Sequence, residues 1–122
     1  MSTTNSQFRK IISSLDDDEA LFSELASPVA EQYELMAVQV QLLAENQHFE
    51  ELQKIAHKLK ATWSLYIDEF NLLPEKLESA IKQNNNEEIV SLAKEIENKL
   101  QQTAINLKGW LADYAKQRNS SK

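Results

Sequence analysis

Cysteine is absent from the 122 residues, glycine occurs once and proline twice. Without a thiol the chain has no disulfide framework, no thiolate nucleophile and no Cys-ligated zinc, a composition compatible with a reducing compartment. Scarce Gly and Pro argue against an antiparallel β fold, whose hairpins draw on Gly, Asn-Gly and Pro. Positive charge is in deficit: 13 Lys+Arg stand against 19 Asp+Glu, a formal net charge of -6. Such a surface repels the phosphate backbone that dominates nucleic-acid affinity, so DNA and RNA are poor partners. Long apolar runs are missing too. Residues 1–15 hold no apolar leader core, and Gln39 and Gln41 interrupt the most apolar stretch before it approaches the roughly 20 residues of a membrane span. A cytoplasmic protein that engages no membrane is the expectation.

What is present is helical periodicity. The length and 42% hydrophobic content suit one domain over 1–122, with a core of about 15–115 and a frayed polar tail at 117–122. A short first helix from about Asn5 to Ser14 carries Phe8, Ile11 and Ile12 on one side. Asp16 with Glu19 three residues later reads as a capping box opening a second helix, and the acidic run 16–18 as a helix start, not a metal site. Phe22, Leu25, Val29, Tyr33, Met36, Val40 and Leu43 then form an apolar stripe ending near Asn46. Pro28 marks either a kink or a restart capped by Ser27.

The third helix begins between Gln47 and Glu50 with Leu52, Ile55, Ala56, Leu59, Trp63 and Tyr66 along one face. Asn71 caps a fourth, with Pro74 in its first turn and Leu73, Leu77, Ala80 and Ile81 buried. Asn84-Asn85-Asn86 is a turn. A last helix aligns Ile89, Leu92, Ile96, Leu100, Thr103, Leu107, Leu111 and Tyr114, with Gly109 loosening its end, while Trp110 suits core or surface. The fold class that follows is all-α: an antiparallel four-helix bundle with an additional short N-terminal helix.

On the third helix, about 100 degrees per residue places His57 roughly 150 degrees from the centre of the apolar stripe, facing solvent. Gln53 and Lys54 lie one turn before it, and Lys60, Ala61 and Ser64 one and two turns after. An exposed neutral imidazole is a nucleophile at cytoplasmic pH. A lysine beside it can stabilise the charge spread over phosphoryl oxygens during transfer, and a small neighbour leaves room for a partner's active site to close. An isolated exposed His near Lys is more often a plain surface residue. His48 falls on another side of the helix as a cap or turn residue, so the two histidines do not form a metal site and no metal is expected.

The order Ala56-His57-Lys58-Leu59-Lys60-Ala61-Thr62 resembles the motif of the histidine-containing phosphotransfer (HPt) family, roughly A-H-x-L-K-G-[ST]. The likeness extends over residues 15 to 110, through the stretch Phe49 to Ile55, the segment Leu77-Glu78-Ser79-Ala80 and the Asn-rich turn with Glu87-Glu88. It implies that His57 is the phospho-acceptor and that Lys60 stabilises the phosphate, with Gln53, Lys54, Ala61 and Ser64 around them at the docking surface. It implies partners as well: response-regulator receiver domains and a hybrid sensor histidine kinase. The chain then has no cofactor of its own, magnesium being bound by the partner receiver. Two positions depart from the family pattern. Ala61 stands where Gly is usual and adds a methyl to the docking surface, and Ile67 stands where a Gly often ends the helix.

The chain has no Gly-rich nucleotide loop, so a phosphocarrier without ATP-dependent kinase activity is expected, not an enzyme. The competing reading is a helical interaction module that docks on receiver domains without phosphotransfer. A bundle holding an apolar ligand in its core has weaker grounds, because the buried positions offer no polar constellation.

Overall fold

The computed structural model describes residues 3–66 and 72–120, and the side chains of 8–9, 11–60 and 72–117. It is all-α, with the order α1 (Thr3–Ser14), α2 (Glu19–Glu45), α3 (Phe49–Tyr66), α4 (Leu72–Lys82) and α5 (Asn86–Ser120). Helices α2 to α5 form a four-helix bundle in which each packs on its chain neighbours and α2 closes the ring against α5. α1 lies against α3 and α5 and delivers Phe8, Ile11 and Ile12 to the core.

The helix ends explain how a chain with one glycine makes tight turns. After α1, Asp17 N–H donates to Ile12 C=O and Asp16 N–H to Ser13 C=O, the paired bonds of a Schellman motif. The same pair recurs after α2, from His48 to Leu43 and Gln47 to Ala44, and after α4, from Asn85 to Ala80 and Asn84 to Ile81. The motifs put Asp16 at φ 58°, Gln47 at 59° and Asn84 at 55° in the left-handed region, and after α1 the next residue, Asp17, lies there too at 59°. Asp and Asn tolerate this conformation; Gln lacks the short polar side chain that eases it. Gln47→Gly is therefore expected to raise stability by about 1 kcal/mol, read as a higher urea midpoint with an unchanged slope.

The structure corrects the sequence reading at several points. The cap of α2 is Asp18, whose Oδ1 accepts from Leu21 N–H at 3.0 Å. Asp16 is taken by the preceding turn, so it does not form a capping box with Glu19. Asn85 caps the start of α5: Glu88 N–H donates to Asn85 Oδ1 at 3.3 Å, and Asn85 Nδ2 donates to Glu88 Oε2 at 3.1 Å.

Pro28 lies inside an uninterrupted α2, and Ser27 caps nothing. The proline is exposed, so the carbonyl it leaves without a partner faces the water side of the helix. Leu25 is also exposed, at 42%. The buried face of α2 is instead Phe22, Ala26, Ala30, Tyr33, Met36, Ala37, Val40 and Ala44. Alanines let α2 approach α5 closely, and α5 contributes Ala93 and Ala104 to the same core. Gly109 does not interrupt α5, which runs on through residues 117–120. Asn71 and Ile67 lie outside the described residues, as do the side chains of Trp63 and Tyr66.

Candidate functional site

α3 is amphipathic across the site: Leu52, Ala56 and Leu59 are fully buried and Ile55 packs half-buried beside them. This face locks the rotation of the helix and turns His57 outward near its middle, with 79% of its side chain exposed. Lys54 and Lys58 are exposed, while Gln53 and Lys60 are half-buried. Ala61 and Ser64 continue α3 one and two turns on, but their side chains lie outside the described residues. His48 ends the α2–α3 turn, and its carbonyl accepts from Leu52 N–H at 3.1 Å as the first bond of α3. It is separated from His57 by more than two helical turns. Among the described residues no cluster of His, Cys, Asp and Glu could hold a metal ion.

α4 contributes a group that the sequence reading did not assign to the site. Glu78 Oε1 lies 3.8 Å from His57 Nδ1 and 3.6 Å from Lys60 Nζ. Its side chain is only 15% exposed, and Oε1 is buried with no hydrogen-bond partner among the described residues. The imidazole therefore has two unlike sides. Nδ1 faces a buried carboxylate on α4, and the rest of the ring faces water. A signal was present in the sequence: Glu78 follows Leu77 and lies one turn after Pro74, at the edge of the buried stripe of α4. Nothing in the sequence says that this edge meets His57.

On the α2 side, the helix exposes Leu35, Val38 and Leu42, at 60%, 50% and 52%. These positions fall on one outward ridge opposite the core face. Between α2 and α3 runs a groove lined by Gln39, Leu42, Leu43, Lys54, Ile55 and Lys58, with Glu51 at its edge. Three of the 13 basic residues of an acidic chain thus gather on seven residues of α3 around His57.

Comparison with protein-family models, with curated proteins and with solved structures finds no match in any of the three. The functional reading therefore rests on the geometry and on the heptad around His57. Among the described residues no helix is long and apolar enough to cross a membrane.

Proposed function

We propose that the chain is a histidine phosphocarrier of the HPt kind, which takes a phosphoryl group onto His57 from a receiver-domain aspartate and passes it to another. The observation that carries the reading is an imidazole 79% exposed on a packed bundle helix, with Lys60 one turn away and Lys54 and Lys58 beside it. A ring nitrogen attacks phosphorus, the P–O bond to the partner's aspartate breaks, and the carboxylate leaves with the electron pair. Because the transition state is loose and in line, the carrier contributes position and charge. Bundle packing fixes the nucleophile, and Lys60 meets the equatorial oxygens. The magnesium and the acidic pocket belong to the receiver, and the carrier needs no nucleotide site because it receives a group already activated.

The α2 ridge and the α2–α3 groove supply a landing surface next to His57. Leu35, Val38 and Leu42 provide apolar area, and Lys54 and Lys58 offer positive charge to the acidic rim of a receiver active site. Leu42→Glu places a carboxylate in this patch and is expected to raise the receiver concentration for half-maximal transfer about tenfold, the equivalent of about 1.4 kcal/mol of binding. Stopped-flow or quench-flow transfer rates against receiver concentration measure it, and an unchanged concentration dependence places docking elsewhere.

The test of the function itself is intact-mass analysis after mixing with phosphorylated receiver domains from the same cell. The same ridge also favours the competing reading, a module that docks on receivers without chemistry. That reading is upheld if receivers bind while no phosphoryl group moves.

A further inference from the structure

We propose that the chain forms a twofold-symmetric dimer through the outer face of α5, with Ile105 of each copy seated in the groove between α2 and α5 of the other. The exposed strip of α5 carries Glu87, Val90, Lys94, Gln101, Ile105 and Lys108, at steps of three, four, seven, four and three residues. This spacing reads the same from either end, as a contact between two antiparallel copies of one helix requires. Pairing about the midpoint sets Val90 against the partner's Ile105, Glu87 against the partner's Lys108 and Lys94 against the partner's Gln101, so no like charges meet. Sliding one copy by a turn brings Ile105 against the partner's Glu87 or the partner's Lys94. A parallel arrangement sets Glu87, Lys94 and Lys108 each against its own copy. Charge and apolar matching therefore select one register and one direction.

The packing of α2 on α5 supplies a socket for the partner's Ile105. Between the two helices lies a groove of about 160 Å³, with Ala44 and Ala93 buried at its floor, Val90 on its wall and Glu45 at its rim. The alanines leave room that larger side chains would fill. Ile105 is 62% exposed, the highest value among the large apolar side chains of the described residues. Beside it stands Val38 of α2, half exposed. α2 and α5 run antiparallel, and Val38 and Ile105 each lie one turn from the Glu34–Lys108 ion pair in the same direction. A second α5 laid along the groove thus puts its Ile105 into the socket at one end. At the other end its Val90 meets Ile105 and Val38. Lys108 pairs with Glu34 of its own chain, and the three donors of an ammonium leave it able to reach Glu87 and Glu45 of the partner subunit as well. Because α5 packs between α2 and α4, α3 lies across the bundle and His57 stays open in both copies. The dimer is independent of the carrier function.

The contact is small beside the roughly 800 Å² per partner of a standard interface, so the dimer is weak, with a Kd expected on the order of 100 μM. Sedimentation equilibrium of the full chain from about 10 μM to about 1 mM brackets that value. The weight-average mass is expected to climb toward twice that of the monomer. Ile105→Lys changes an exposed position and leaves the core alone, and it is expected to raise Kd at least about tenfold. Leu35→Glu, on the α2 ridge, is expected to leave Kd unchanged. Since the chain has no cysteine, introduced thiols report the register: on oxidation, a mixture of Val90→Cys and Ile105→Cys chains is expected to form the mixed disulfide in preference to either like pair. A chain that stays monomeric to the highest concentration overturns the proposal. So does a dimer that survives Ile105→Lys and is lost in Leu35→Glu, which moves the interface to the α2 ridge. A preference for the Ile105→Cys like pair refutes the antiparallel register. None of these outcomes turns on phosphotransfer.

Discussion

Mixed with a phosphorylated receiver, wild type is expected to gain the mass of one phosphoryl group, lost again in acid, and His57→Gln to gain none. The effect is expected to be all-or-none because the substitution removes the proposed nucleophile, whereas changes at Lys60 or on the proposed docking ridge alter a rate or an affinity. With 79% of the His57 side chain exposed, Gln at this position leaves the core untouched and should change stability by no more than about 0.5 kcal/mol. A missing adduct in the variant is then a chemical result and not an unfolding result. An adduct of equal size in His57→Gln moves the acceptor to another residue. No adduct in wild type, with every receiver shown to be loaded, leaves a docking module. Pull-down of receivers by both proteins distinguishes that module from a chain with no receiver partner at all.

Phe22→Ala is expected to cost about 3–5 kcal/mol, a large share of the roughly 5–15 kcal/mol that holds a domain together. Phe22 is fully buried near the start of α2. Its ring meets Phe8 of α1 at a centroid distance of 5.7 Å and Trp110 of α5 edge-on at 4.7 Å, and Trp110 in turn stacks on Tyr114 at 5.1 Å. One side chain therefore joins three helices, and truncation leaves a void that none can fill without giving up another contact. Urea unfolding followed by far-UV circular dichroism measures the loss, and Trp110 fluorescence reports whether this end of the bundle opens first. A loss under about 1 kcal/mol would mean that α1 can collapse onto the gap.

The site was legible where it depends on one helix. The apolar residues Leu52, Ile55, Ala56 and Leu59 predict both α3 and the outward direction of His57, because a helix repeats every 3.6 residues whatever packs against it. Asn84 and Asn85 lie in the turn where one was expected, with Asn86 already the first residue of α5, but the N-cap of α2 proved to be Asp18, because Asp16 was already used to end α1. On α2 the periodic large residues pointed to a face including Leu25, whereas the buried face is rich in Ala. Apolar patterning ranks Leu above Ala, but close packing on α5 rewards the smaller residue.

By itself, the sequence determined the all-α class, the order of five helices, the exposure of His57 and the neighbourhood of Lys54 and Lys60, since these follow from local periodicity and turn chemistry. Tertiary structure alone decided that Glu78 of α4 faces His57 Nδ1, that Leu35, Val38 and Leu42 form an uncovered ridge, and that Trp110 is buried. Each depends on which helix becomes the neighbour of which, and at what rotation. That choice is made by the packing of whole faces against one another, which no single helix encodes.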